Sequence, residues 1–93
     1  MKPTVLTEHE IRDQLHSIPG WTQSRKEISR TFELKDFVSA IGFVTSVAIL
    51  AERADHHPDI DIRWNRVTLT LSTHSADGLT IKDFDLARSV NAL

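Results

Sequence analysis

The 93-residue sequence predicts one α+β domain over residues 1–93: a two-layer sandwich whose four-stranded antiparallel sheet carries three helices on one face, in the order α-β-β-α-β-β-α. Three observations lead there. Two segments open with the same helix-start device, a capping box combined with a hydrophobic staple. One long central segment is apolar at helical spacing. Two others alternate apolar and polar residues as half-buried strands do.

In order, LTEHEIRDQLHSIPGW (6–21) starts a helix at Thr7, with Glu10 closing the box, Leu6 and Ile11 as the staple and Pro19-Gly20 as the stop. TQSRKEISRTFEL (22–34) reads as a hairpin with a polar turn near Ser24 to Lys26; Ile28, Arg30 and Phe32 then share one parity. From about Lys35 to Asp55, Phe37, Ile41, Val44, Ala48 and Ala51 form one apolar row. Ala40, Phe43, Val47, Leu50 and Ala54 form a second, and Val38 and Ile49 widen the surface. A helix apolar around so much of its circumference needs more cover than a small sheet supplies, so part of it is expected to meet another subunit. IDIRWNRVTLTLSTH (60–74) is the clearest hairpin, and the last helix starts at Thr80 and Asp83 with Leu79 and Phe84 as staple, running through Leu86, Ala87 and Val90.

Composition narrows the function. Eleven Lys+Arg against 13 Asp+Glu give a formal charge of -2, which supplies no basic footprint for nucleic acid or an anionic membrane. The absence of cysteine excludes disulfides, thiolate catalysis and thiolate metal sites, and accords with a reducing compartment. MKPTVLTEHEIRDQL has no apolar core of signal-peptide length, and no stretch is expected to reach the roughly 18 apolar residues of a membrane span, so a cytoplasmic protein is expected.

Chemistry concentrates at ERADHHPD (52–59), where the long helix ends in two histidines and a proline. With Asn65 and Arg66 as the turn of the following hairpin, Trp64 faces Val67, Ile62 faces Leu69 and Ile60 faces Leu71. Two further steps place Pro58 opposite Thr73 and His57 opposite His74. Glu52, four residues before His56, falls on the same helix face and can orient or charge that imidazole. His56, His57, His74 and Glu52 are then an acid/base cluster working near neutral pH. Adjacent histidines after a helix are also an ordinary polar stop, and three neutral imidazoles can alternatively hold zinc, although no HxH or HxxxH spacing is present. Trp21 and Trp64 read as core, Asp83 as a capping residue, and Asp59, Asp61, Arg63, His9 and His16 as solvated.

PGW (19–21), RTFELKDFVSAIGFVTSVAILAE (30–52), ADHHPDIDIRWNRVTLTLSTH (54–74) and GLTIKDFDLA (78–87) resemble, in order and spacing, segments of the pterin-4a-carbinolamine dehydratase family. The resemblance implies a hydro-lyase that converts 4a-hydroxytetrahydropterin to quinonoid dihydropterin and water. That substrate is what an aromatic amino-acid hydroxylase leaves behind, so the reaction belongs to tetrahydrobiopterin recycling. Carried over position by position, the catalytic histidines are His56, His57 and His74, with Glu52, Asp55 and Pro58 beside them and Trp21 and Asp83 at the edge of the pterin site. His56 and His74 would transfer protons while His57 binds the pterin, with no cofactor and no metal. Members resembling this chain form homodimers or homotetramers through the long helix. Some act as a dimerisation cofactor for a transcription factor or as assembly factors, so a protein-binding module is the alternative function.

Overall fold

The structure, a computed structural model, describes residues 4–93; Met1–Pro3, the start of the stretch read above for a targeting signal, lie outside the described residues. The elements appear in the expected order: α1 Glu8–Leu15, β1 Thr22–Ser24, β2 Glu27–Glu33, α2 Phe37–Ala54, β3 Asp59–Arg63, β4 Arg66–Leu71 and α3 Ile81–Asn91. A short 3-10 turn, His74–Ala76, precedes α3. The sheet is antiparallel throughout, ordered β1-β2-β4-β3. Its inner face presents Ile28 from β2 and Val67, Leu69 and Leu71 from β4, all buried against Ala40, Val47 and Ala51 of α2 and Phe84, Leu86, Ala87 and Val90 of α3.

Both helix-start devices are present. Thr7 Oγ1 accepts from Glu10 N while Glu10 Oε1 accepts from Thr7 N at 2.8 Å. Asp83 Oδ2 accepts from Thr80 N at 2.9 Å, with Leu79 and Phe84 both buried as the staple. The start of α2, not singled out from the sequence, is capped by Asp36, whose Oδ1 accepts from Ser39 N at 2.8 Å.

Of the two apolar rows on α2, the one containing Ala40 and Val47 packs on the sheet, while Phe37, Val38, Ile41 and Ile49 stay exposed. The helix therefore carries the surplus apolar surface expected of it. It also corrects the expectation about spans: Phe37–Ala54, at 18 residues with a mean hydropathy of 1.5, is long and apolar enough by length and composition to cross a membrane. Ser39, Gly42, Thr45, Ser46, Glu52 and Arg53 interrupt its apolar residues and hide that property from a search for an unbroken apolar run.

The β3–β4 hairpin differs from the expected register. Its turn is Trp64-Asn65, so Ile62 pairs with Val67 and Ile60 with Leu69, two residues away from the pairing read from sequence. A shift of two leaves every side chain on its own face, so an alternating pattern fits both registers equally. Tertiary contacts decide between them: Asn65 O accepts from Leu34 N at 2.8 Å and Asn65 Nδ2 donates to Leu34 O at 2.9 Å, pinning the tip to the end of β2. Trp64, expected in the core, instead takes a left-handed turn conformation, φ 54°, and is 73% exposed.

Arg30 shares the inner parity of β2 as read, and its charge is satisfied without an acid. Its guanidinium lies 4.4 Å from the Phe32 ring centroid and donates to Pro19 O and to Asn91 Oδ1. The same Asn91 Oδ1 accepts from Trp21 Nε1 at 2.8 Å, and Trp21 packs edge-on against Phe32. Gly20, at φ +91°, lies under this guanidinium, where a Cβ would come within 2.6 Å of Arg30 Nε. This corner ties α1, β2 and the end of α3 together.

The Ser39 amide holds the Asp36 carboxyl below the usual aspartate range. Folding lowers this pKa, so the charged cap contributes stability that is fully present above the ordinary aspartate value and is lost as pH falls through the lowered one. Asp36→Asn keeps a cap acceptor but does not titrate. It is expected to make the acid limb of the stability curve shallower below about pH 4, measured by urea unfolding across pH.

Candidate active site

The site begins where α2 ends. Asp55 takes the left-handed conformation, φ 50° and ψ 45°, and its amide donates to Glu52 O while the His56 amide donates to Ala51 O. This pair of bonds is the reversed closure that commonly ends helices, here on an aspartate instead of glycine. The reversal separates the two histidines, sending His56 into the interior while His57, restricted by Pro58 to an extended backbone, stays outside.

The turn also changes partners. Glu52 was expected to orient His56 from one helical turn away, but the helix stops at Ala54 and Glu52 Oε2 instead lies 3.0 Å from His57 Nε2, both groups being exposed. His56 Nε2 meets Asp83 Oδ1 at 2.5 Å, with both side chains buried. Asp83, read from sequence mainly as a capping residue, thus caps α3 with one oxygen and holds an imidazole with the other.

A chain of hydroxyls fixes that carboxylate. Thr73 Oγ1 donates to Asp83 Oδ2 at 2.8 Å, which leaves the Thr80 hydroxyl to donate to Thr73 Oγ1 at 2.8 Å. Thr80 Oγ1 in turn accepts from the Lys82 amide. Among the described residues no buried side-chain nitrogen or oxygen lacks a partner. A carboxylate oxygen accepts, so this contact favours the ring tautomer in which His56 Nε2 donates to Asp83.

His56, His57 and Asp55 from the end of α2 line one cleft with Thr73 and His74 from the opposite connection, enclosing about 270 Å³. The three predicted histidines therefore share a cleft, although the shifted register does not set His57 directly across from His74. Continued past its last pair, the observed ladder would put His57 opposite Ser72. His74 reaches the cleft because it opens the 3-10 turn after β4. Glu52 touches the site through His57, and Asp83 through His56. Pro58 does not line the cleft.

Trp21 does not belong to this group. It is buried in the corner described above, bonded to Asn91 at the far end of α3, eight residues and about 12 Å along the helix from Asp83. Sequence reasoning missed Lys82, whose side chain lines the cleft, and the supporting roles of Ser72, Thr73 and Ser75. Lys82 neighbours Asp83 in the chain, and that adjacency was the only local signal for it. Among the described residues no three His, Cys, Asp or Glu side chains group closely enough to hold a metal ion.

Comparison with known proteins places the chain in a family. The family model described as pterin 4 alpha carbinolamine dehydratase matches residues 4–93. The chain belongs to the pterin carbinolamine dehydratase family. It is 56% identical over 90 residues to a Roseiflexus sp. (strain RS-1) protein named "Putative pterin-4-alpha-carbinolamine dehydratase", covering 97% of each chain. A Nocardia farcinica protein of the same name is 54% identical over 93 residues, covering 100% of this chain and 98% of its own. Among solved structures, a transcriptional coactivator/pterin dehydratase from Brucella melitensis superposes with a TM-score of 0.92 at 43% identity, over 96% of this chain and 97% of that one. A pterin dehydratase-like RuBisCO assembly factor of the α-carboxysome, at TM-score 0.68 and 22% identity over 83% of this chain and 92% of that one, shares the fold.

Asp83→Ala removes the shared acceptor of His56, Thr73 and the Thr80 amide while all three stay buried. Breaking such a pair from one side is expected to lower the unfolding free energy by about 3–5 kcal/mol, read from urea titration at neutral pH.

Proposed function

We propose that this chain catalyses the dehydration of 4a-hydroxytetrahydropterin to quinonoid dihydropterin and water, using histidines for both proton transfers. The observation that carries the reading is the His56–Asp83 pair opening onto the same cleft as His57 and His74 in a chain of the pterin carbinolamine dehydratase family. The reaction breaks the C4a–O bond and forms a C4a=N5 bond. The departing hydroxyl needs a proton as it leaves, and N5 must give one up; an acid and a base held beside one ring supply both. Water carries off the oxygen, and no electrons change hands.

In this assignment His56 and His74 carry the two proton transfers, and His57, steadied by Glu52, binds and orients the ring. Asp83 is a positioning residue that fixes the tautomer and angle of His56. The carbinolamine would come from an aromatic amino-acid hydroxylase in the same compartment, the cytoplasm, and the product would return to the tetrahydropterin pool through a reductase.

We further propose that the protein works as a homodimer or homotetramer joined through α2. Val38, Ile41 and Ile49 lie along one outward stripe of that helix and are 79%, 40% and 59% exposed. Water-facing apolar area of that extent is the mark of a surface with a partner. The same stripe supports a second reading, a protein-binding module of the coactivator or assembly-factor kind, acting with or without catalysis.

The direct experiment follows the disappearance of enzymatically generated 4a-carbinolamine with and without the protein. The wild type is expected to accelerate it, and His74→Ala or His56→Ala to lose about 10²–10⁴-fold. Unchanged acceleration in a His57→Ala, His74→Ala double variant refutes the histidine mechanism. For the assembly, Val38→Lys with Ile49→Lys is expected to give a smaller species by light scattering, and a mass equal to the wild type counts against the α2 interface.

A further inference from the structure

Two clefts share the His56 ring as a wall. One is the histidine cleft, and the other, of about 350 Å³, is a groove between α2 and α3. Leu50, Arg53 and Ala54 line the groove from α2 at i, i+3 and i+4. Lys82, Asp85, Leu86 and Ser89 line it from α3 at i, i+3, i+4 and i+7, so each helix turns a single face to it. The dehydration proposed above uses nothing in this groove except His56.

The charges in the groove are unequal. Asp85 is already engaged, accepting from Arg88 Nη2 at 2.8 Å, and the Ser89 hydroxyl donates to Asp85 O at 3.2 Å. The Arg53 guanidinium on one helix and the Lys82 ammonium on the other make no side-chain hydrogen bond or ion pair among the described residues. Leu50, Ala54 and Leu86 add apolar surface to the same lining. Two free cations beside apolar side chains complement a molecule that joins a carboxylate to an apolar body, and a guanidinium can grip that carboxylate with two parallel hydrogen bonds. The volume lies at the small end of ordinary small-molecule sites, roughly 300–1,000 Å³, which suits a single ring or a short chain. A zwitterion fits poorly, because its ammonium group meets two cations and a carboxylate already taken by Arg88.

We propose that this groove is a regulatory site for a small monocarboxylate with an apolar body, and that its occupant slows turnover through His56. The site stands on the geometry alone, whereas its effect on turnover rests on the dehydratase reading. Because the imidazole is a shared wall, an occupant of the groove reaches it without entering the histidine cleft. A carboxylate beside that ring favours the protonated form and makes the ring a poorer proton acceptor. The effect therefore falls on the chemical step and not on access of substrate to the other cleft.

The test titrates the protein with phenylacetate, using phenylacetamide as the body without the charge, acetate as the charge without the body and phenylalanine as the zwitterion. Calorimetry and NMR shifts of the Leu50 and Leu86 methyl groups are expected to report phenylacetate binding with a Kd of about 1 mM, and each of the other three at least about tenfold more weakly. Arg53→Gln, an exposed change outside the histidine cleft, should weaken phenylacetate about tenfold while turnover without the probe, which also reports correct folding, stays at the wild-type value. Saturating phenylacetate should lower the wild-type kcat several-fold with KM unchanged. No saturable binding, equal binding of phenylacetamide or phenylalanine, or an affinity untouched by Arg53→Gln overturns the site. A rise in KM at constant kcat puts the probe in the histidine cleft and overturns the proposal as well, and unchanged kinetics at saturation overturn the regulation. If the wild type accelerates loss of no carbinolamine, the dehydratase reading and the regulatory effect fall together, while the calorimetry still decides the site.

Discussion

The buried carboxylate of Asp83 holds three separate parts of the chain in one place: the exit of α2 through His56, the exit of β4 through Thr73 and the start of α3 through Thr80. A carboxylate is costly to bury alone, and here two of its partners, the His56 ring nitrogen and the Thr80 amide, have no other bond among the described residues, while the third, the Thr73 hydroxyl, also meets Thr80 Oγ1. The cap of a helix and the orientation of an imidazole therefore become one structural requirement. Because Asp83 is placed by the helix it caps, His56 is held in place as well.

The two ends of α3 do different work. Its N-terminus carries the carboxylate that holds His56, while its C-terminus carries Asn91, which gathers Trp21, Arg30 and the Pro19 carbonyl into the opposite corner. Between them Phe84, Ala87 and Val90 pack against the sheet, so the helix is a strut between a polar site and a polar corner. The histidine side of the molecule is left open, with His57 and His74 exposed on either side of the buried His56.

Much of this could be read from residue order. The helix starts at Thr7 and Thr80 are local devices, each satisfied within a few residues, and such signals survive any tertiary arrangement. The alternation around Ile60 to Leu71 fixed which side chains face inward, but not which residue opposes which, since the pattern repeats every two positions. The misplacement of Trp64 came from the same source: its parity was correct for a strand, and the bonds of Asn65 to Leu34 turned it into a turn residue. Trp21 was placed near the pterin by resemblance, whereas its indole nitrogen is committed to Asn91.

By itself, the sequence determined the element order, the inward faces, the helix caps and the gathering of His56, His57 and His74 at one end of the sheet, because each depends on spacing along the chain. Tertiary structure decided the partners. Glu52 holds His57 instead of His56 because Asp55 reverses the chain after Ala54, and Asp83 reaches His56 across 27 positions because α3 begins beside the end of α2. A hydrogen bond between distant segments is set by how helices and strands close on one another, and no local pattern encodes that closure.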